Sequence, residues 1–183
     1  MKKPLIKRVE NNKNKGKTYS ELIRKYNEAI SNEFYGEAEL IVYAFLEDRL
    51  RSFIYYSDLT DGFNSNKINE NAEEVYGKDL DIKDISCKIG LIRKALNVCT
   101  KKTAELNGFE MSLKKRYRVS IKVAELKSVL KQIEKWCKYR NEIVHAMFNK
   151  DLDDLRRGYE HHVKDGMKLA RYIDSQVQSL KNA

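Results

Sequence analysis

The chain contains few residues that interrupt helices. Among its 183 residues there is one proline, Pro4, and there are only 8 glycines. Proline and glycine are the residues that most often break helices and form turns. Their scarcity argues against a strand-and-turn architecture and predicts long helices. At this length we expect one domain with a substantial core.

The chain also lacks long apolar runs and paired cysteines. No run approaches the roughly 18 apolar residues of a membrane span, and the basic N-terminus is not followed by the apolar segment of a secretory signal. The cysteines, Cys87, Cys99 and Cys137, are odd in number and irregularly spaced. This pattern favours a reducing compartment and buried free thiols. We therefore expect a cytoplasmic protein without a membrane segment.

Positive charge is concentrated in two regions of the chain, whose net charge is +9. Residues 1–17 contain seven Lys and Arg against one acidic residue, and residues 114–140 contain ten against two. Because the remainder is acidic, this concentration favours a polyanion as the partner. The alternative is a solvated, lysine-rich surface with no such partner.

Hydrophobic periodicity predicts an all-α fold, an up-and-down bundle of about five helices over residues 18–183. No segment shows the sustained alternation of a half-buried strand. The five predicted helices cover residues 18–35, 37–57, 82–106, 119–147 and about 151–180. Asn107-Gly108 is a plausible stop for the third helix.

The remaining segments are predicted to lack helical structure. Residues 1–17 form a flexible basic N-terminal arm, which ends where a capping box of Thr18 and Glu21 begins the first helix. Residues 58–81 form an unusually long connection, which is typical of a functional or partly disordered segment. Residues 109–118 form a basic connector.

The helix predicted over residues 119–147 has a lysine face and an apolar face. The lysine face contains Lys127, Lys131, Lys135 and Lys138. The apolar face contains Leu126, Val129, Leu130, Ile133, Trp136 and Cys137. Continued by three and four residues, the apolar stripe reaches Arg140, Asn141 and His145. We therefore expect these three polar residues to face inward.

An inward-facing Arg140 requires a compensating environment, because burial of an unpaired charge costs several kcal/mol. An acidic residue of the second helix, Glu39, Glu47 or Asp48, provides one solution. A water-filled cleft between subunits provides another. Because Arg140 and His145 are five residues apart, they point about 140° apart around one helix. A twofold dimer would bring such groups together from two copies.

Residues 140–145, Arg-Asn-Glu-Ile-Val-His, resemble the R-x4–6-H motif of the HEPN superfamily. In that family a polar residue, commonly Asn, Asp or His, follows the Arg, and Asn141 matches. The motif also lies late in a bundle of four or five helices, as it does here. The resemblance implies a dimeric, metal-independent endoribonuclease without a cofactor, and many family members are toxins or act in phage defence.

The resemblance also implies a mechanism and a set of partners. The RNA 2′-hydroxyl would attack the adjacent phosphorus, with His145 as general acid or base, Arg140 stabilising the phosphoryl charge and Asn141 orienting His145 or binding the phosphate. Lysines of the basic helix would hold the RNA backbone, and Tyr139 would stack on a base. Some toxins of the family carry a Tyr two residues after the His, which a partner antitoxin modifies. Here that position is Met147, and a different protein antitoxin or regulatory partner remains open.

Three further residues have predicted positions, and the sequence also allows a rival function. Trp136 is expected in the core because it follows the apolar stripe. His161 and His162 point about 100° apart on a helix, so they do not chelate a metal together, and we expect both at the surface. No metal site is predicted. The rival function is a non-catalytic RNA-binding or protein-interaction bundle in a defence complex.

Overall fold

The computed structural model describes residues 12–57, 85–146 and 152–182. Within these ranges the chain forms six α-helices and a short 3-10 turn, and no strand. The helices are α1 (Asn12–Ser31), α2 (Tyr35–Tyr56), α3 (Ile85–Val98), α4 (Gly108–Ser120), α5 (Val123–Ala146) and α6 (Leu152–Lys181). In the part of the chain that the structure describes, the predicted all-α class is confirmed, and there is one helix more than the five expected.

Helix α2 is central, as its apolar residues on more than one side predict. It packs against α1, α3 and α6, and its side chains Val42, Leu46 and Phe53 are fully buried. Helix α6 contributes an apolar stripe at helical spacing. That stripe contains Val163, Met167, Ala170, Ile173, Val177 and Leu180. Within the described ranges, no helix has both the length and the apolar character that crossing a bilayer requires.

Helix α4 lies where the sequence predicted a basic connector over residues 109–118, so that prediction was wrong. Asn107 begins the helix, because its side chain accepts the Glu110 N–H at 2.8 Å. The Glu110 carboxylate in turn accepts the Asn107 N–H at 3.2 Å. The predicted helix stop is therefore a helix start with a capping box. Leu113 and Tyr117, four residues apart, bury the inner face of α4, a pattern too short for periodicity to reveal.

Other predicted helix boundaries also differ from the structure. Helix α1 begins at Asn12, so Thr18 lies in its second turn and does not cap it. The rest of the predicted arm, residues 1–11, lies outside the described residues. Helix α3 ends at Val98 rather than near residue 106. The long predicted connection lies within residues 58–84, which are also outside the described residues.

Candidate functional site

Arg140 lies on the side of α5 that faces α2. It follows Ile133 by seven residues, which is two helical turns, so the two side chains point in directions about 20° apart. The Arg140 side chain is 23% exposed, and its Nε lies 3.8 Å from Oε2 of Glu39. Its guanidinium carbon lies 4.5 Å from the centroid of the Tyr43 ring, a cation–π distance. Arg140 is therefore held between a carboxylate and an aromatic ring of one neighbouring helix.

The other two acidic residues that the sequence offered as partners form different ion pairs. Glu47 lies 3.0 Å from Nζ of Lys88, whose side chain is fully buried. Asp48 pairs with Arg49, which also donates to Asp174 of α6 at 2.7 Å. Of the two environments that the sequence left open for Arg140, an acidic residue of the second helix or a cleft between subunits, the structure shows the first, with Glu39 as the acidic residue.

Asn141 and His145 are exposed, so the prediction that they face inward was wrong in the single chain. His145 follows Ile133 by twelve residues, which turns it about 120° away from the core direction. It lies instead in nearly the same direction as Lys131 and Lys138, at successive intervals of seven residues. No hydrogen bond between Asn141 and His145 is found in the described part of the chain. The motif therefore places Arg140 and His145 on different sides of α5.

The lysines predicted to bind RNA form an exposed ridge on α5. This lysine ridge consists of Lys127, Lys131, Lys135 and Lys138. The last three are exposed, whereas Lys127 is half-buried and donates to Oδ1 of Asn97 at 2.9 Å. Nζ of Lys138 lies 3.9 Å from the carboxylate of Glu142. Since exposed pairs of this kind are weak, the ridge keeps a strongly positive character.

The two aromatic residues that precede Arg140 have different surroundings. Trp136 is in the core, as expected, and is 4% exposed. Its Nε1 donates to the backbone oxygen of His162 at 2.9 Å, and the two rings stack with centroids 4.9 Å apart. Tyr139 is 45% exposed and meets the His162 ring edge-on at 5.0 Å. Tyr139 can therefore offer ring surface to a ligand, whereas Trp136 cannot.

Arg140 belongs to a polar cluster that is centred on the buried Glu39, and sequence reasoning missed part of this cluster. We call Glu39, Tyr159, His162 and Arg140 the Glu39 cluster. Glu39 is 3% exposed, accepts the Tyr159 hydroxyl at 2.8 Å, and lies 3.2 Å from Nε2 of His162. Burial raises the pKa of the Tyr159 hydroxyl, and the neighbouring Glu39 carboxylate raises it further. Tyr159 therefore stays protonated and donates to Glu39.

His162 was predicted at the surface and is instead 7% exposed, so that prediction was wrong. The signal was present in the sequence, because His162 lies beside Val163 and four residues before Gly166, on the stripe that α6 buries. The adjacent His161 is exposed, as expected, and its ring lies 3.0 Å from the carboxylate of Asp165. The two histidines thus differ completely in environment.

Two other kinds of chemistry, a reactive thiol and a metal site, are not supported by the described residues near the site. Burial raises the pKa of the Cys137 thiol to about 11, so this thiol is protonated at neutral pH and is a poor nucleophile. Among the described residues, no cluster of three or more His, Cys, Asp or Glu side chains is arranged to hold a metal ion. The groups suited to phosphate chemistry are the guanidinium of Arg140, the imidazole of His145 and the lysine ridge.

No protein-family model, no curated protein and no solved structure matches the chain. The resemblance to the HEPN superfamily therefore depends on residues 140–145 and on the helical architecture alone.

Proposed function

We propose that this protein is a metal-independent endoribonuclease of HEPN type that acts as a twofold homodimer. It cleaves RNA by attack of the 2′-hydroxyl on the adjacent phosphorus, leaving a 2′,3′-cyclic phosphate and a 5′-hydroxyl. A role as a toxin or a phage-defence effector belongs to the same proposal. The observation that carries it is an oriented Arg140 with His145 exposed on the same helix, where the lysine ridge ends.

Arg140 is oriented without being saturated. Glu39 and Tyr43 fix the direction of its guanidinium, yet Arg140 forms no hydrogen bond to any residue that the structure describes. A guanidinium has five N–H donors in a planar fork that matches a phosphate. Because its direction is already set, binding a phosphoryl group would require little further ordering.

The lysine ridge leads to His145. Lys131, Lys138 and His145 follow one another at intervals of seven residues, which is about 10 Å along the helix. An RNA backbone held by the lysines would therefore run towards the imidazole. Such contacts hold phosphates with little base preference and weaken as salt concentration rises.

A second copy of the chain completes the proposed site. Within one helix, Arg140 and His145 diverge by about 140°, so one chain cannot easily place both on the same phosphate. Two copies related by a twofold axis can bring Arg140 of one protomer to His145 of the other.

In the proposed reaction each group has one task. His145 takes the proton from the 2′-hydroxyl or gives one to the departing 5′-oxygen, as general base or general acid. Arg140 stabilises the negative charge that grows on the phosphoryl oxygens. Asn141, which is exposed, donates to the phosphate, and Tyr139 stacks on a base. DNA should resist cleavage because it lacks the attacking hydroxyl.

The test is cleavage of end-labelled RNA by the purified chain in excess EDTA. The variants Arg140→Ala and His145→Ala should each lose about 10²- to 10⁴-fold in rate. Matched controls are Arg51→Ala, an exposed arginine of α2, and His161→Ala, an exposed histidine of α6. Both controls should cleave at the wild-type rate. If the Arg140 or His145 variant is as active as its control, the roles assigned to these residues are wrong.

Mixing the two inactive variants tests the shared site. In an Arg140→Ala and His145→Ala heterodimer, one of the two cross-protomer pairs is intact. Random mixing should therefore restore about a quarter of wild-type activity if the pairs form between protomers. Restoration should be absent if each pair forms within one chain.

A second candidate is a non-catalytic RNA-binding or protein-interaction bundle in a defence complex. The observation that favours it is the separation of Arg140 from His145 within one chain, beside an exposed lysine ridge that suffices for binding. Salt-sensitive RNA binding without cleavage would support this candidate. A protein antitoxin or other regulatory partner is compatible with either function. Met147, where some family toxins carry the modified Tyr, lies outside the described residues.

A further inference from the structure

We propose that Glu39 is a positioning residue for Arg140, and that Tyr159 and His162 of α6 fix Glu39 in place. The importance of this arrangement for catalysis rests on the proposed function. The positioning itself concerns only the folded chain and is measured separately.

The two oxygens of Glu39 have different partners. Oε1 lies 3.2 Å from Nε2 of His162. Oε2 accepts the Tyr159 hydroxyl at 2.8 Å and lies 3.8 Å from Nε of Arg140. Because α6 engages both oxygens, the plane of the carboxylate is fixed, and Oε2 is presented to the guanidinium.

The groups of α6 that hold Glu39 are themselves held. The His162 ring stacks on Trp136, and the Trp136 indole donates to the His162 backbone oxygen. The Tyr159 ring packs against the ring of Tyr35, with centroids 6.2 Å apart. Support of a functional group by residues whose own rotamers are locked is the usual way in which a protein fixes its geometry.

Comparison with Arg49 distinguishes a positioned arginine from a structural one. Arg49 is 5% exposed, and it donates to Asp174 at 2.7 Å and to Asp48 at 2.5 Å. Arg140 is more exposed and meets its carboxylate at 3.8 Å without a hydrogen bond. Glu39 therefore directs the guanidinium by charge, and the guanidinium donates no hydrogen bond to any residue that the structure describes.

The direct test is NMR of the Nε–H group of Arg140 in the full chain labelled with ¹⁵N-arginine. Its signal is assigned by its loss in Arg140→Lys. Because Nε is buried, we expect slow hydrogen exchange in the wild type. Glu39→Gln keeps the shape of the side chain and removes its charge, so it should shift this signal and speed its exchange at least about tenfold. Tyr159→Phe should do the same to a smaller extent.

Two matched controls exclude a general loss of structure. Glu110→Gln changes another buried glutamate, at the start of α4, and Tyr172→Phe changes another tyrosine of α6. Neither should alter the Arg140 signal. An unchanged signal and exchange rate in Glu39→Gln would overturn the proposal. If Glu39→Gln fails to fold, as judged by circular dichroism, an unchanged signal in Tyr159→Phe overturns it instead.

The kcat and KM of RNA cleavage then distinguish a positioning role of Glu39 from a role in RNA binding. Since a displacement of about 1 Å can cost up to about 10²-fold in rate, Glu39→Gln should lower kcat by about 10- to 100-fold while KM stays within about twofold. Adding Glu39→Gln to Arg140→Ala should cause no further loss, because the two act as a unit. If Glu39→Gln lowers kcat by the same factor in the wild type and in the Arg140→Ala variant, Glu39 does not act through Arg140 and the positioning role is contradicted. If the wild type cleaves no RNA, the proposed function fails, and the NMR result still decides whether Glu39 positions Arg140.

Discussion

Replacing Gly166 with alanine should disturb the packing that supports the Glu39 cluster. Gly166 lies where α6 meets the Trp136 ring of α5. A Cβ atom at this position would lie 2.5 Å from Cε2 and Nε1 of the indole and 2.7 Å from its Cζ2. Ordinary contacts between such atoms begin near 3.4 Å. The indole would therefore have to move by about 1 Å, in an interior that is close-packed.

The contacts of Trp136 explain why moving its indole should cost free energy of folding. Trp136 is fixed by its hydrogen bond to the His162 backbone and by its stacking on the His162 ring, so it cannot swing away as a flexible side chain would. Overpacking of this kind typically costs about 1–3 kcal/mol, and loss of the hydrogen bond would add about 1 kcal/mol. The melting temperature should fall by about 2–4 °C for each kcal/mol.

Gly90 provides a matched control. It also lies within a helix, α3, and a Cβ atom there would meet nothing within 4 Å. Gly90→Ala should therefore stabilise the fold by about 0.5–1 kcal/mol, the usual gain of alanine over glycine in a helix.

Urea denaturation followed by circular dichroism measures both free energies of unfolding. Fluorescence reports on the contact directly, because Trp136 is the only tryptophan of the chain. In a Trp136→Phe background, the smaller ring should make Gly166→Ala nearly neutral, with a coupling energy of at least about 1 kcal/mol. The reasoning is refuted if Gly166→Ala is no more destabilising than Gly90→Ala, or if its effect is the same in both backgrounds.

Three further predictions concern helix ends and pH. Glu33 has a φ of 60° between α1 and α2, so Glu33→Gly should raise the free energy of unfolding by about 1 kcal/mol in urea denaturation, by removing left-handed strain. Asn107→Ala should lower it by about 1 kcal/mol, because the capping hydrogen bond to Glu110 is lost. The Lys101 ammonium holds the pKa of Glu110 below its ordinary value of 4.5. The stabilisation that Glu110 provides should therefore be complete above pH 4.5 and be lost as the pH falls through the lowered pKa, so wild type and Glu110→Gln should converge in acid.

The sequence predicted those parts of the fold that depend on long, local patterns. Helices α2, α5 and α6 are long enough for their apolar stripes to repeat several times, and their predicted ranges overlap the structure closely. Helix α4 was missed because it has only 13 residues and buries a short face among many basic ones. The Asn107-Gly108 pair has opposite meanings at the two ends of a helix, and Glu110, three residues later, favours the start.

Some features of the candidate site could also be predicted from local sequence patterns, whereas others depend on how the helices pack. The sequence offered three acidic residues of α2 as possible partners of Arg140, beside the alternative of a cleft between subunits. The choice of Glu39 depends on how far α2 and α5 are offset along their axes. That offset is a tertiary property. The burial of His162 was predictable, because His162 lies on the apolar stripe of α6, and the exposure of the adjacent His161 does not change this. The hydrogen bond from Tyr159 to Glu39 was not predictable, since it depends on the position along α2 at which α6 packs.

The spacing of the motif leads to a final prediction about protein concentration. Two residues four apart lie on one face of a helix, whereas two residues five apart, as Arg140 and His145 are, diverge by about 140°. The proposed pairing of these groups therefore needs a second helix, and the proposed source is another protomer. Cleavage per mole of chain should then fall steeply on dilution below the dissociation constant of the dimer, as mass action requires. Analytical ultracentrifugation should place monomer formation in the same concentration range. Activity strictly proportional to chain concentration, in a range where the chain sediments as a monomer, would contradict a shared site.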